Sequence, residues 1–256
     1  MDLQITGKRA LVLGASRGLG MAIAKSLAAE GVTVFAAARS RDKIAKWAEG
    51  IENVQPVECD LSDFAQVDAL VDSLLSDGGA DIIVNNGGGP PPGTAQAAER
   101  SQWLAHFEAM AANLFHLNTR LLPAMKERGW GRIISITSSG VEQPIPNLAL
   151  SNGIRSAVVG WSKTLASEVA GDGITVNVVM PGRIHTQRVD ELDAGAAKRT
   201  QSNVADVAAK SRATIPAGRY GKPEEFADVV TFLASTRASY VTGSRIRIDG
   251  GAIKGI

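Results

Sequence analysis

The sequence has little sulfur and few aromatic rings. One cysteine, Cys59, stands among 256 residues. No internal disulfide can form, and the chain reads as one suited to a reducing, cytoplasmic compartment. Two tyrosines and three histidines leave few groups able to exchange a proton near neutral pH. No apolar run approaches the roughly 20 residues that a helix needs to cross a bilayer. The opening Met1-Asp2-Leu3-Gln4-Ile5-Thr6-Gly7-Lys8-Arg9 lacks a basic-then-apolar leader pattern. An excess of one charge is missing too: 27 Lys and Arg oppose 26 Asp and Glu, for a net charge of +1. That is too little to concentrate potential for nucleic acid or an anionic membrane. No metal-ligand spacing of Cys and His occurs, so no metal site is expected.

What is present is ordinary globular material, 45 % hydrophobic and 21 % charged. Short apolar or β-branched runs at 10–13, 33–37, 54–58, 82–85, 132–136, 175–179 and 245–248 read as strands. Helical patterns at 18–30, 41–50, 64–76, 100–128, 151–169 and 224–234 alternate with them. Continuous apolar strands separated by helices predict an α/β fold: a Rossmann-like, doubly wound, seven-stranded parallel sheet with helices on both faces. One dinucleotide-binding domain over 1–256 accounts for the whole length. Only 183–215 interrupts the alternation. Polar, mixed in charge and placed after a strand end, it reads as a substrate lid, or else as a surface excursion holding one or two helices. The run Gly87-Gly88-Gly89-Pro90-Pro91-Pro92-Gly93 also follows a strand end and reads as a loop bordering the site.

The first strand runs directly into Gly14-Ala15-Ser16-Arg17-Gly18-Leu19-Gly20, which opens a helix. Glycines there permit a tight turn and a close backbone approach, and the helix N-terminus offers free N–H groups to phosphate. In such sites an acid about 20 residues further on takes the ribose hydroxyls of NAD. Here the second strand ends in Ala38-Arg39-Ser40-Arg41, without an acid. Arg39, with Arg17 facing the same pocket, can meet a 2′-phosphate through guanidinium forks, so NADP(H) is preferred over NAD(H).

These residues resemble the short-chain dehydrogenase/reductase family, and within it most the 3-oxoacyl-(acyl carrier protein) reductase type. Gly14-x-x-x-Gly18-x-Gly20 is similar to the family's glycine motif. Asp60-Leu61 is similar to its adenine-pocket aspartate, and Asn85-Asn86-Gly87-Gly88 to its Asn-Asn-Ala-Gly. Pro181-Gly182-Arg183-Ile184-His185-Thr186 looks like its nicotinamide loop. Gly218-Arg219-Tyr220-Gly221-Lys222-Pro223-Glu224-Glu225 and Val241-Thr242-Gly243, with Asp249-Gly250-Gly251, extend the resemblance to the C-terminal region. The likeness implies a small-molecule carbonyl or alcohol substrate. It also implies a homotetramer or homodimer packed through the two long central helices.

The family's Asn-Ser-Tyr-Lys set can be sought position by position. Ser138 holds the serine position. The Tyr position falls on Ser151 and the Lys position on Arg155, in a register that Gly160-Trp161-Ser162-Lys163 supports independently. The Asn position falls on Met110, with Asn113 one turn away. Ser151 and Arg155 share a helix face, and Arg155 can still donate to a ribose or an oxyanion. An aliphatic hydroxyl, however, lies roughly five to six pKa units above a phenol, about 7–8 kcal/mol of proton affinity. A direct exchange of Ser for Tyr should therefore make a poor acid.

Three readings follow. In the first, the chain is an NADP(H)-dependent oxidoreductase whose proton comes from an ordered water or another group. His185, in the nicotinamide loop, is a candidate proton donor or else a solvated loop residue, the plainer reading, and His106 and His116 read as surface or packing residues. In the alternative, it binds NADP as a sensor or non-catalytic subunit. The third, non-redox chemistry, fits less well, because halohydrin dehalogenases keep the Tyr and lose the glycine turn. Intact phosphate and nicotinamide motifs favour the oxidoreductase.

Overall fold

Successive residues of a strand point to opposite faces of its sheet, and β1 (Arg9–Leu13) shows the consequence. Ala10 and Val12 enter one apolar layer, and Leu11 and Leu13 the other. The same division continues through β2 (Thr33–Ala38) and β4 (Ile82–Asn85). β5 (Gly131–Ile136) and β6 (Ile174–Pro181) are likewise buried on both faces. Sheets of this kind need cover on both sides, which parallel crossover connections supply. β3 (Val54–Glu58) and β7 (Arg245–Ile248) are the half-exposed edges.

The computed structural model describes residues 1–255 and joins all seven strands in parallel, in the order β3-β2-β1-β4-β5-β6-β7. This is the Rossmann-like, doubly wound sheet that the alternation predicts. One face is covered by α1 (Gly18–Ala29), α2 (Arg41–Ala48) and α9 (Pro223–Leu233), through Ile23, Leu27, Ile44, Phe226 and Val230. The other is covered by α3 (Phe64–Ser76), α5 (Asn113–Arg128) and α6 (Ala149–Val169), through Val67, Leu74, Leu117, Leu121 and Ala166. The strand order reverses between β1 and β4, so their carboxyl ends diverge and leave a crevice for a ligand.

One expectation changes, and one segment left open takes a definite form. The helix predicted over 100–128 is two helices, α4 (Arg100–Phe107) and α5, joined by a π-helical turn at Glu108–Ala112. Apolar periodicity runs across such a turn and does not reveal it. The polar segment 183–215 folds into α7 (Gln187–Thr200) and α8 (Val204–Ala213). It shows little of the apolar signal on which a sequence-level helix assignment depends, since only Val189, Asp193 and Ala197 of α7, and nothing in α8, are buried.

Candidate active site

The turn between β1 and α1 is shaped by backbone contact. Gly14 has φ of +63°, and a Cβ there would lie 2.6 Å from Asn86 Nδ2 and 2.9 Å from Asn86 O. A Cβ on Gly20 would strike the Gly14 carbonyl oxygen. Asn86, just past β4, donates to Leu13 O at 3.1 Å and so ties the glycine turn to the neighbouring strand. At α1 the N-cap Arg17 makes no side-chain capping bond, and no acid lies in the first turn. α3 differs: Asp63 accepts from Ala65 N at 3.0 Å and Gln66 N at 3.3 Å. The α1 terminus therefore keeps donors and positive potential for an outside anion. These residues fit a dinucleotide phosphate.

Beyond β2, Arg39 is exposed and Asp60 is half-buried. Asp60 accepts from Ser62 N at 3.0 Å and Ser62 Oγ at 2.8 Å. The Ser62 N–H is the main influence holding its carboxyl below the usual range; Arg39's positive charge adds to it. Leu61 Cδ1 lies 3.4 Å from where a Gly87 Cβ would be, so Leu61 and Gly87 face each other. Asn113, the first residue of α5, donates to Leu61 O at 2.9 Å. Asn118, Asn85 and Ser135 form a buried network beneath, with Asn85 donating to Ser135 Oγ at 3.1 Å. Sequence reasoning did not assign Asn113 and Asn118 these roles, and an Asn on an apolar helix face was the available signal. Arg17 Nη1 meets Glu191 Oε1 of α7 at 3.2 Å.

Past β6, Gly182 N donates to Ile248 O at 2.9 Å, and a Cβ on Gly182 would crowd Asp249. Ile184 is buried against Gly221. Thr186 Cγ2 would be 3.5 Å from a Cβ on Gly18, so Pro181–Thr186 returns to the glycine turn. Arg183 and His185 point elsewhere. Arg183 Nη1 meets Asp193 at 3.0 Å, Tyr220 OH donates to Asp193 Oδ2 at 2.7 Å, and His185 faces Asp190 at 3.3 Å. His185, Tyr220, Asp190 and Asp193 line a cavity of about 340 Å³ that none of Ser138, Ser151 and Arg155 reaches.

The remaining wall carries the three positions read as catalytic. Ser138 follows β5 in extended backbone, and its Oγ accepts from Gly140 N at 3.1 Å, leaving its proton to donate. Ser151 lies in the first turn of α6, 9 % exposed, with no side-chain hydrogen bond among the described residues. Arg155 is one turn further. Its Nη1 donates to Ile136 O at 2.9 Å, which brings the guanidinium to the end of β5. Its Nη2 is 3.9 Å from where a Gly89 Cβ would be. Burial, and then the charge of Arg188 on α7, push Arg155 down to about 10, so it stays cationic at neutral pH. Met110, in the π-helical turn, packs with Trp103, Leu150 and Ile154 and offers no polar atom at the position read as the family's asparagine. Asn152 Oδ1 and Thr137 Oγ1 are buried without partners, polar groups that a water or ligand would satisfy.

Comparison with known proteins agrees with the fold. The sequence model of the family described as Enoyl-(Acyl carrier protein) reductase matches residues 14–252. The 3-oxoacyl-[acyl-carrier-protein] reductase FabG of Salmonella typhimurium is 34 % identical over 97 % of this chain and 98 % of its own. L-sorbose reductase of Gluconobacter frateurii, solved with NADPH and L-sorbose, superposes with a TM-score of 0.93 at 34 % identity, covering 100 % of both chains. YwfH, an NADPH-dependent reductase involved in bacilysin biosynthesis, superposes with a TM-score of 0.92 at 31 % identity, over 97 % of this chain and 99 % of that one. By sequence, sheet order and glycine turn together, this chain belongs to the short-chain dehydrogenase/reductase family of NAD(P)-dependent oxidoreductases.

Proposed function

We propose that the protein is an NADP(H)-preferring reductase of a small carbonyl compound, with a proton-transfer site that does not use tyrosine. The observation that carries this reading is the intact phosphate turn and nicotinamide loop, Gly14–Gly20 and Pro181–Thr186, held within van der Waals reach of each other. Exposed Arg39 at the end of β2, with no acid beside it in the chain, favours a 2′-phosphate. Ser16, Gly18, Leu19, Asn86, Gly87, Gly88 and Thr186 complete the cofactor cleft, and α7 with α8 forms its lid. The chain acts as one dinucleotide-binding domain. Leu104 and Phe107, 53 % and 40 % exposed on α4, support assembly into a homodimer or homotetramer through the central helices.

When bound, the nicotinamide supplies a hydride to the substrate carbon. Ser138 donates to the carbonyl oxygen and fixes its position. Arg155, cationic and half-buried, stabilises the negative charge that the oxygen gains as the C=O π pair moves onto it. Ser151 then relays a proton from water to that oxygen, accepting one as it gives one, so the hydroxyl need not ionise. This relay avoids the pKa gap between serine and tyrosine.

Fluorescence titration of NADPH followed by its oxidation with a carbonyl panel tests the reading. Tight binding with turnover on at least one compound is expected. Binding without turnover would transfer the protein to the second reading, an NADP-responsive sensor or non-catalytic subunit. That reading is favoured by the missing Tyr and Lys. Failure to bind NADPH would overturn both.

A further inference from the structure

Asn152 follows Ser151 on α6, and the two ends of its amide have different surroundings. Nδ2 donates to Ile145 O at 3.0 Å. Oδ1 is buried with no partner among the described residues. The amide cannot be turned round, because its oxygen would then face the Ile145 carbonyl, acceptor against acceptor. A buried amide oxygen is costly to leave unpaired. Oδ1 therefore calls for a donor that the surrounding side chains do not supply.

A second acceptor faces the same spot. A Cβ on Gly140 would lie 2.5 Å from Asn152 Oδ1 and 3.3 Å from Ser138 Oγ. Gly140 is buried, and its φ is not in the left-handed region, so a glycine is needed here for room and not for its backbone. A serine hydroxyl has one proton to give and two lone pairs to fill. Gly140 N fills one of those on Ser138, at 3.1 Å. Asn152 Oδ1 is itself an acceptor and cannot fill the other. Left alone, it competes with a substrate for the single proton that Ser138 can offer.

We infer that one buried water beside Gly140 gives a hydrogen bond to Asn152 Oδ1 and another to Ser138 Oγ, and that Asn152 is through this water a positioning residue for Ser138. A water has the two protons that the two oxygens require. With both its lone pairs filled, Ser138 directs its own proton into the cleft, toward the oxygen of the compound to be reduced. A donor fixed in this way before the reaction needs no reorientation during it. The bridging water transfers no proton; it holds one hydroxyl in one orientation. The water site stands on geometry alone, whereas the use made of Ser138 rests on the reductase reading above.

Crystals of the NADPH-loaded protein that diffract well enough to show ordered water test the site. A water within hydrogen-bond reach of Asn152 Oδ1 and Ser138 Oγ is expected in the wild type and in Asn152→Asp. It should be missing in Gly140→Ala, whose methyl takes its room. No such water in the wild type would overturn the inference, whatever the protein catalyses. Kinetics on a compound that the wild type reduces test the role. Asn152→Leu keeps the shape and removes both amide ends. Its kcat should fall about tenfold, the worth of one oriented hydrogen bond, with NADPH affinity unchanged. Asn152→Asp keeps an acceptor for the water and gives up the donor to Ile145 O, so it should recover most of that loss. Equal losses in Asn152→Asp and Asn152→Leu would assign the effect to the Ile145 bond and overturn the inference, as would an unchanged kcat in Asn152→Leu. If the wild type reduces no compound, the reductase reading falls, and the water alone sustains or overturns the site.

Discussion

The two walls of the cofactor cleft are made of different atoms. At the ends of β1 and β4 the wall is backbone: Gly14, Gly20 and Asn86 press on one another at distances that admit no side chain. Past the end of β5 it is side chain: Ser138 follows the strand, and Ser151 and Arg155 stand on α6, with Arg155 reaching Ile136 O and lying 3.9 Å from where a Gly89 Cβ would be. A backbone wall suits a phosphate, and exchange of its residues would disturb the strands themselves. A side-chain wall can change one group at a time over an unaltered helix. The positions read as the family's tyrosine, lysine and asparagine hold serine, arginine and methionine here, yet the fold superposes on that of L-sorbose reductase.

The largest effect should come from restoring the side-chain wall. Ser151→Tyr with Arg155→Lys is expected to raise kcat on a neutral ketone by about a hundredfold, the ordinary worth of a well-placed general acid. Stopped-flow NADPH oxidation measures it. No gain would mean that Met110 and the apolar cluster around it have rebuilt the site too deeply for a two-residue return. The backbone wall should behave in the opposite way. Gly20→Ala drives a methyl against the Gly14 carbonyl and should cost ~2 kcal/mol of stability by overpacking. NADPH affinity should fall with it, read from urea denaturation and fluorescence titration of the same preparation. Arg39→Asp tests the outer edge, where recognition passes back to side chains. Losing one charge-assisted contact and gaining a ribose acceptor should move the NADPH-over-NADH ratio by about thirtyfold toward NADH. Unchanged selectivity would remove Arg39 from the 2′-phosphate pocket.

How much of this was legible depended on how far each contact reaches along the chain. The spacing of the glycines and the period of two in β1 are set by neighbours a few residues apart, and the sequence shows them directly. The π-helical turn at Glu108–Ala112 precedes Asn113, whose amide reaches Leu61 O 52 residues away. Nothing near Asn113 in the sequence announces that bond. Arg17 is the clearer case. Read locally, it belongs beside Arg39 at a 2′-phosphate; in the fold it bridges to Glu191, 174 positions on. The Asp193 cluster with Arg183 and Tyr220 was hidden for the same reason, since a polar helix gives no signal of which face it will bury.

That Arg17–Glu191 pair ties the glycine turn to α7, the helix proposed as the lid. Both side chains are half exposed, 51 % and 41 %, so the pair itself should contribute little to folding. Glu191→Gln is accordingly expected to change unfolding free energy by less than about 0.5 kcal/mol. Its effect should appear in the lid. With the turn and α7 no longer bridged, NADPH should dissociate a few times faster, about threefold for a pair of this strength, while its association rate stays near that of the parent. Freed from Glu191, Arg17 would also be able to turn toward the 2′-phosphate. In that event NADPH would dissociate more slowly in the variant while NADH would not. The sign of the change in dissociation rate, compared between the two cofactors, therefore decides whether Arg17 serves the lid or the phosphate.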